Sequence, residues 1–291
     1  MIFQGSAVAL VTPFKLNNEV NFYELHRLIE FQIASGTKAL VILGTTGESS
    51  TISSEERTKI IKFCVGLVNK RIPIIVGTGS NSTETAIKQT KEAENLGADG
   101  VLIVTPYYNK TNQNGLFSHY KSIAKETKLQ IIIYNVPSRT GMNISAETVK
   151  KLSKIKNIVG IKDASGNISE TIRLLKILPK NFAVFSGDDI LTYPMMCLGA
   201  KGVISVTANA YPTLVSTMCD SILSHDYSNA LRIHKHLYNI STGLFLDVNP
   251  ICIKYYLCLL RKNVGRPRPP LTEPDKKIKQ KLEKLKEEYE N

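Results

Sequence analysis

The 291-residue chain has no tryptophan, only five cysteines, only five histidines and no long hydrophobic run. The cysteines are scattered, and no pair has the spacing of a zinc site or a redox dithiol, so we expect reduced thiols and no metal site. No segment approaches the roughly 20 apolar residues that a membrane span needs. The N-terminus has neither the basic region nor the cleavage site of a secretory signal. These absences favour a cytoplasmic protein that does not bind a membrane.

Positive charge is in excess, with 37 lysines and arginines against 25 acidic residues and a formal net charge of +12. Binding to nucleic acid would require a concentrated basic patch or a recognition motif. The lysines are instead spread over predicted helices that also carry glutamates, as in the segment 275–289. We therefore expect no nucleic-acid partner, and a positive field that attracts small anionic substrates.

Eight short runs rich in apolar and β-branched residues alternate with amphipathic segments of helical periodicity. Runs that are apolar on both faces and alternate with helices indicate a parallel sheet covered by helices, which is the α/β class. Eight such units favour a closed (β/α)8 TIM barrel, with an open doubly wound sheet as the alternative. The runs are residues 7–11, 40–43, 72–76, 101–104, 131–134, 158–162, 182–185 and 203–206.

The helical segments indicate how the chain is divided. Ser53 and Glu56 have the spacing of a capping box at the start of the second predicted helix. After the eighth run the pattern is helical only. We therefore predict a catalytic barrel over residues 1–224 and a C-terminal helical domain over residues 225–291, with the proline-rich segment 266–270 as a stiff linker before the last helix.

Lys162 ends the sixth run and is followed by a turn-like segment, 163–166. In a (β/α)8 barrel the active site forms at the carboxyl ends of the strands. An amine held there with little water is disfavoured as the ammonium ion, and the free amine is a nucleophile toward a carbonyl carbon. The alternative is that Lys162 extends into solvent beside Asp163.

Two more reactive side chains follow the fifth run. Tyr134 ends this run and is a candidate for moving protons, and Arg139 follows it and is a candidate for binding a carboxylate through two hydrogen bonds. Together with Lys162 they fit imine chemistry on a keto acid. The alternatives are that Tyr134 is a packed phenol and that Arg139 belongs to a surface loop.

Paired hydroxyl side chains follow two other runs. Thr45 and Thr46 lie between glycines after the second run, and Tyr107 and Tyr108 follow the fourth. The threonines could be turn residues only, and the tyrosines could be an oligomer contact. The threonine segment is not a phosphate-binding loop, because no Gly-Lys-Ser/Thr follows it. The coincidence of these residues on one predicted face of the barrel favours a catalytic site.

Six motifs occur in order along the chain, and together they resemble those of the dihydrodipicolinate synthase family, within the class I pyruvate aldolase and N-acetylneuraminate lyase superfamily. The likeness runs from Gly5 to Pro250 and a little beyond, which is nearly the whole chain. Several motifs in register are more specific than any one of them. The motifs are Gly44-Thr-Thr-Gly-Glu-Ser49, Thr105-Pro-Tyr-Tyr-Asn109, Tyr134-Asn-Val-Pro-Ser-Arg-Thr-Gly141, Gly160-Ile-Lys-Asp-Ala-Ser-Gly166, Ser186-Gly-Asp-Asp189 and Gly202-Val-Ile-Ser-Val-Thr-Ala-Asn209.

The resemblance implies a role for each candidate residue. Lys162 takes the place of the lysine that forms a Schiff base with pyruvate, and Tyr134 that of the general acid and base. Thr45 matches the hydroxyl that links this tyrosine into a proton relay. Tyr108 matches a tyrosine that completes the relay from a neighbouring subunit. Arg139 matches the residue that binds the carboxylate of L-aspartate 4-semialdehyde.

The resemblance also implies that Thr46 and the backbone at Ile204 hold the pyruvate carboxylate and nearby oxygens. The expected reaction condenses pyruvate with L-aspartate 4-semialdehyde to 4-hydroxy-tetrahydrodipicolinate, a precursor of lysine and diaminopimelate. No cofactor is expected, because the lysine–pyruvate imine is the reactive group. The family implies a homo-oligomer, at least a dimer for catalysis and a dimer of dimers as the full assembly.

Two alternative functions are open. N-acetylneuraminate lyase resembles this chain in fold and in its lysine and tyrosine, but Arg139 suits an acidic amino-aldehyde better than a sugar acid. The other alternative is a barrel that has lost activity and binds metabolites as a regulator. The principal catalytic positions are all filled, which argues against a loss of activity.

A pocket that binds L-lysine as a feedback inhibitor in some members of the family is retained only in part. Those members have histidines at the positions of Ser54 and Arg57, and a glutamate at the position of Thr85. The missing carboxylate removes a partner for the lysine ammonium, and Arg57 adds a like charge, so we expect weak or absent feedback inhibition. The pocket residues that are present are Ser49, Asn81 and Tyr107.

Overall fold

The computed structural model describes residues 2–290, and its centre is a closed barrel of eight parallel strands. Each strand pairs with the next along the chain, and the eighth closes the barrel against the first. The predicted (β/α)8 barrel is confirmed and the open sheet is excluded. The strands are β1 (Gly5–Ala9), β2 (Ala39–Ile42), β3 (Ile74–Gly77), β4 (Gly100–Val104), β5 (Gln130–Asn135), β6 (Ile158–Asp163), β7 (Ala183–Ser186) and β8 (Gly202–Ser205).

Helices connect the strands and cover the outside of the barrel. The capping box predicted before the second helix is present, because the Ser53 hydroxyl accepts a hydrogen bond from Glu56 N and the Glu56 carboxylate accepts one from Ser53 N. The α-helices are α1 (Phe22–Ala34), α2 (Ser54–Val68), α3 (Thr83–Asn95), α4 (Gln113–Lys125), α5 (Pro137–Thr140), α6 (Ala146–Leu152), α7 (Ile168–Ile177), α8 (Thr192–Cys197), α9 (Pro212–Leu223), α10 (Tyr227–Gly243), α11 (Ile251–Leu259) and α12 (Lys276–Glu290).

The barrel has two hydrophobic cores, because successive side chains of a strand point to opposite faces. On β1, Val8 packs in the outer core under the helices, whereas Ala7 points into the lumen. The lumen also contains the rings of Phe3 and Phe185, which are stacked with their centroids 4.3 Å apart. Side chains therefore fill the barrel below the strand ends, and the space for a ligand lies above them.

Helices α10, α11 and α12 follow the eighth barrel helix, α9, as predicted for the C-terminal region. The segment 266–270 is more than a linker, because the Arg268 guanidinium lies 4.2 Å from the centroid of the Phe14 ring and forms a salt bridge with Glu56. The division of the chain into two domains stays a prediction. None of the helices within residues 2–290 combines the length and the apolar character needed to cross a membrane.

Candidate active site

Lys162 points into the barrel because the pairing of β6 changes register. Simple alternation from Ile158, which lies in the outer core, would place Lys162 on the outer face as well. The pairing of β6 with β5 shifts after Ile158, and the register skips Val159. Ile161 is therefore again in the outer core, while Lys162 pairs with Tyr134 and faces the lumen. Such irregularities are common beside active sites, where they redirect a side chain.

The amine of Lys162 is buried and close to a phenol ring. Lys162 is only 5% exposed, and its Nζ lies 4.5 Å from the centroid of the Tyr134 ring. The carboxylate of the neighbouring Asp163 accepts hydrogen bonds from the hydroxyls of Ser165 and Thr171 and does not pair with the Lys162 amine. Within residues 2–290, Lys162 forms no salt bridge. The alternative that Lys162 extends into solvent beside Asp163 is therefore wrong.

A cavity of about 390 Å³ lies at the carboxyl ends of the strands. Lys162 lines it together with Tyr134, Arg139 and Thr46, which brings four of the predicted residues to one space. Asp188 also lines the cavity, and burial raises the pKa of this carboxyl above its usual value. The space is large enough for a small metabolite. In the described part of the chain, no group of three or more His, Cys, Asp or Glu side chains could hold a metal ion.

Asn249 joins two of these residues. Its side-chain amide donates a hydrogen bond to Thr46 Oγ1 at 2.9 Å, and its backbone carbonyl accepts one from the Arg139 guanidinium at 3.1 Å. Because the Thr46 oxygen accepts this bond, its own hydroxyl hydrogen is available to a ligand in the cavity. Asn249 lines the cavity as well. No sequence motif indicated Asn249, because it lies 110 residues beyond Arg139 and outside the strand-end motifs.

Thr45 lies beside a second, smaller cavity of about 40 Å³. Tyr134 lines both cavities, so its side chain stands between Thr45 on one side and Lys162 on the other. Within residues 2–290 no direct hydrogen bond joins the Thr45 hydroxyl to the Tyr134 phenol. The structure thus brings the expected relay partners to one small space, and their role in proton transfer stays a prediction.

Two of the predicted catalytic and substrate-binding residues line neither of these two cavities. Tyr108 is 92% exposed and has a φ of +69°, a left-handed conformation that is uncommon for residues other than glycine. Ile204 is buried inside the barrel, where β8 pairs it with Ala7 of β1, and the cavity is lined instead by Val206. The roles of Tyr108 and Ile204 stay predictions.

One of the three residues retained from the expected lysine pocket lines the smaller cavity. Ser49 lines it, and the backbone carbonyl of Asn81 accepts a hydrogen bond from the loop that carries Tyr107. Arg57 is buried and donates a hydrogen bond at 2.9 Å to the carbonyl of Gly77, which also lines this cavity. Burial lowers the pKa of the Arg57 guanidinium. A buried cation therefore lies where the lysine-inhibited relatives are expected to have a histidine.

Two residues of the segment 186–189 have roles that the sequence did not indicate. A Cβ atom at Gly187 would lie 2.9 Å from Cε of Lys162, so glycine at this position leaves room for the amine side chain. Asp189 is buried and accepts hydrogen bonds from the hydroxyl of Ser205 and the backbone N of Val206. Asp189 therefore holds the loop that follows β8, and it does not line the cavity.

Comparison with known sequences identifies the family. The model of the Dihydrodipicolinate synthetase family matches residues 2–288. This chain belongs to that family. A curated relative, the 4-hydroxy-tetrahydrodipicolinate synthase of Clostridium novyi (strain NT), is 45% identical over 290 residues, which cover 100% of this chain and 97% of the relative. The family resemblance predicted from the six motifs is confirmed.

Solved structures of the family have the same architecture. The dihydrodipicolinate synthase of Aquifex aeolicus matches with a TM-score of 0.97 and 45% identity, over 99% of this chain and 98% of that chain. The chloride-inhibited dihydrodipicolinate synthase of Acinetobacter baumannii, solved in complex with pyruvate, matches with a TM-score of 0.96 and 44% identity over the same shares of the two chains. The likeness therefore includes the C-terminal helices as well as the barrel.

Proposed function

We propose that this chain condenses pyruvate with L-aspartate 4-semialdehyde to 4-hydroxy-tetrahydrodipicolinate, through a Schiff base on Lys162. The observation that carries the proposal is a buried amine that forms no salt bridge within residues 2–290 and lies against a phenol, in a cavity that also contains a guanidinium. Membership of the family, and relatives named for this reaction, support the same conclusion.

The first half of the reaction activates pyruvate. The amine of Lys162 adds to the keto carbon, and the adduct loses water to form an imine. Thr46, with its oxygen held by Asn249, and the backbone at Ile204 hold the carboxylate. The imine withdraws electrons from the methyl group, which loses a proton to give an enamine. Tyr134 moves the protons in these steps, with Thr45 beside it. The imine takes the place of a cofactor.

The second half forms the carbon–carbon bond and the ring. Arg139 binds the carboxylate of L-aspartate 4-semialdehyde through charge-assisted hydrogen bonds. The enamine carbon attacks the aldehyde carbon, and the aldehyde oxygen takes up a proton to become the 4-hydroxyl group. The amine of the semialdehyde then attacks the imine carbon and displaces Lys162. The ring closes, and the free lysine is restored.

We infer that the active form is a homo-oligomer, a dimer of dimers, in which Tyr108 enters the site of a neighbouring subunit. The exposure of Tyr108 and its uncommon backbone conformation support this role. Mixing subunits tests it: Lys162→Arg and Tyr108→Phe chains should each be nearly inactive, but a mixed dimer contains one site with a native lysine and a native tyrosine. Activity of the mixture above the sum of the two variants is expected, and activity equal to that sum would contradict the exchange.

The function is tested by trapping and by substrate choice. Pyruvate followed by borohydride should inactivate the chain irreversibly by reducing the imine, whereas borohydride alone should not. The untreated enzyme should consume pyruvate together with L-aspartate 4-semialdehyde and should not cleave N-acetylneuraminate. No inactivation would favour a non-catalytic binding protein, and cleavage of N-acetylneuraminate would favour a lyase.

A further inference from the structure

The loop that carries Thr45 and Thr46 is strained at both ends. Leu43, just before it, has a φ of +54°, and Glu48, near its end, has a φ of +56°. Residues other than glycine are disfavoured in this left-handed region, because their Cβ atom is crowded by the backbone. The conformations of Leu43 and Glu48 therefore raise the energy of the loop. Such a conformation persists only where the surrounding structure holds the backbone, and it is frequent at functional sites.

The contact that holds Glu48 is a buried ion pair with Lys254 of α11. Lys254 Nζ lies 2.7 Å from Glu48 Oε1, and each side chain is 1% exposed. Lys254 also donates hydrogen bonds at 3.1 Å to the backbone carbonyls of Thr12 and Arg266, and it lies 4.1 Å from the centroid of the Phe14 ring. All three ammonium hydrogens therefore have acceptors, so this lysine is not a second nucleophile.

Other residues of the C-terminal region contact the same loop. The second oxygen of Glu48 accepts a hydrogen bond from the backbone N of Arg268 at 2.8 Å. The guanidinium of Arg268 donates at 2.7 Å to the carbonyl of Thr51, at the far end of the loop. Asn249 binds Thr46 from the cavity side. The loop is thus held at three points by a part of the chain that follows it by about 200 residues.

We propose that Glu48 and Lys254 are a positioning pair that holds the hydroxyl of Thr46 toward the pyruvate cavity and the hydroxyl of Thr45 beside Tyr134. This inference rests on the proposed function. Neither Glu48 nor Lys254 lines the cavity, so neither touches the substrate and both act through the loop. The pair makes helix α11 part of the pyruvate site, although its side chains lie behind the catalytic loop.

The test compares full-length variants of the pair. Glu48→Gln and Lys254→Met each leave one buried charge without a partner, whereas the double variant leaves none, so the double variant keeps the test valid if a single variant does not fold. Glu48→Asp keeps the charge and changes only the reach of the carboxylate. The matched control is Glu147→Gln with Arg173→Met, which removes an ion pair whose side chains are 55% and 54% exposed.

The readouts are the KM for each substrate, kcat, the rate of borohydride trapping with pyruvate, and Tm. We expect each folded single variant to raise the KM for pyruvate and slow trapping by about 10- to 100-fold, as a displacement of about 1 Å does. The KM for the semialdehyde should change less, because it depends on Arg139. The double variant should be less impaired than either single variant, and Glu48→Asp should be intermediate.

Two outcomes separate this inference from others. If the variants have a lower Tm but native KM values and trapping rates, the pair only stabilises the fold and the proposal is overturned. If the native chain forms no pyruvate adduct at all, the proposed function fails before the variants are compared. The control variant should leave every kinetic constant unchanged.

Discussion

The amine of Lys162 lies over the face of the Tyr134 ring, 4.5 Å from its centroid, and the two residues are partners in register on adjacent strands. The barrel itself therefore sets the distance between the nucleophile and the candidate acid and base. Residues on strands are held more precisely than residues on loops. Small changes around this pair should consequently have large effects on rate.

Removal of the phenol oxygen should slow the reaction without abolishing the imine. Tyr134→Phe keeps the ring beside the Lys162 amine but removes the phenol group that we propose moves protons. We expect kcat to fall by about 10²- to 10⁴-fold, with a much smaller change in the KM for pyruvate. Initial rates measure kcat and the KM for pyruvate. Borohydride trapping after a long incubation with pyruvate shows whether the imine still forms. A kcat within a factor of about three of the native value would contradict the acid–base role.

A methyl group at Gly187 should displace the nucleophile. The Cβ atom of Gly187→Ala would lie 2.9 Å from Cε of Lys162 and 2.8 Å from Cβ of Ala164, which is too close for real atoms. We expect borohydride trapping with pyruvate to slow by about tenfold or more, because the amine is moved from its productive position. A native trapping rate would show that Lys162 has room to move aside.

Gly66 provides the control for this substitution. It lies within helix α2, and a Cβ atom there would meet nothing within 4 Å. Alanine favours the helix by about 1 kcal/mol over glycine, so Gly66→Ala should raise Tm slightly and leave trapping unchanged.

Titration of His119 should contribute to the change in the free energy of unfolding with pH. Burial lowers the pKa of this histidine from 6.5 to about 4. Between these values the unfolded chain binds a proton that the folded chain does not, so stability falls as the pH falls. From these pKa values, the free energy of unfolding should decrease by about 2 kcal/mol between pH 7 and pH 5. Urea unfolding at pH 7 and pH 5 measures this decrease in the native chain and in His119→Gln. The decrease should be smaller by about 2 kcal/mol in the variant. An equal decrease in the two proteins would contradict the prediction.

Feedback inhibition by L-lysine should be weak or absent. Thr85 lacks the carboxylate that would pair with the ammonium of the inhibitor, and the buried Arg57 repels it. Initial rates with millimolar L-lysine should stay near the uninhibited rate. Thr85→Glu combined with Arg57→His should increase the sensitivity. Strong inhibition of the native chain at low millimolar concentration would refute this prediction.

The barrel fold and part of the candidate site could be predicted from the sequence. Because the carboxyl ends of the strands meet at one face, Lys162, Tyr134 and Arg139 could be assigned to a common site from their positions after apolar runs. The direction of Lys162 could not be derived in the same way. Alternation from Ile158 would turn it outward, and the register change that skips Val159 leaves no periodic signal in the sequence.

The contacts between distant parts of the chain were the least predictable. Asn249 binds Thr46 across 203 residues, and Lys254 binds Glu48 across 206. From the sequence, Lys254 in the apolar helix α11 cannot be told from a lysine that extends into solvent. No local pattern in the sequence pairs it with Glu48 in the loop after β2. The proposed role of Tyr108 depends on a second chain, so a single sequence shows only that the residue is present.

A crystal of this chain soaked in pyruvate would show whether Lys162 binds pyruvate covalently. We expect continuous electron density from Lys162 Nζ to the keto carbon, with the pyruvate carboxylate against Thr46. Pyruvate held without a covalent bond, or joined to another amine such as that of Lys254, would contradict it.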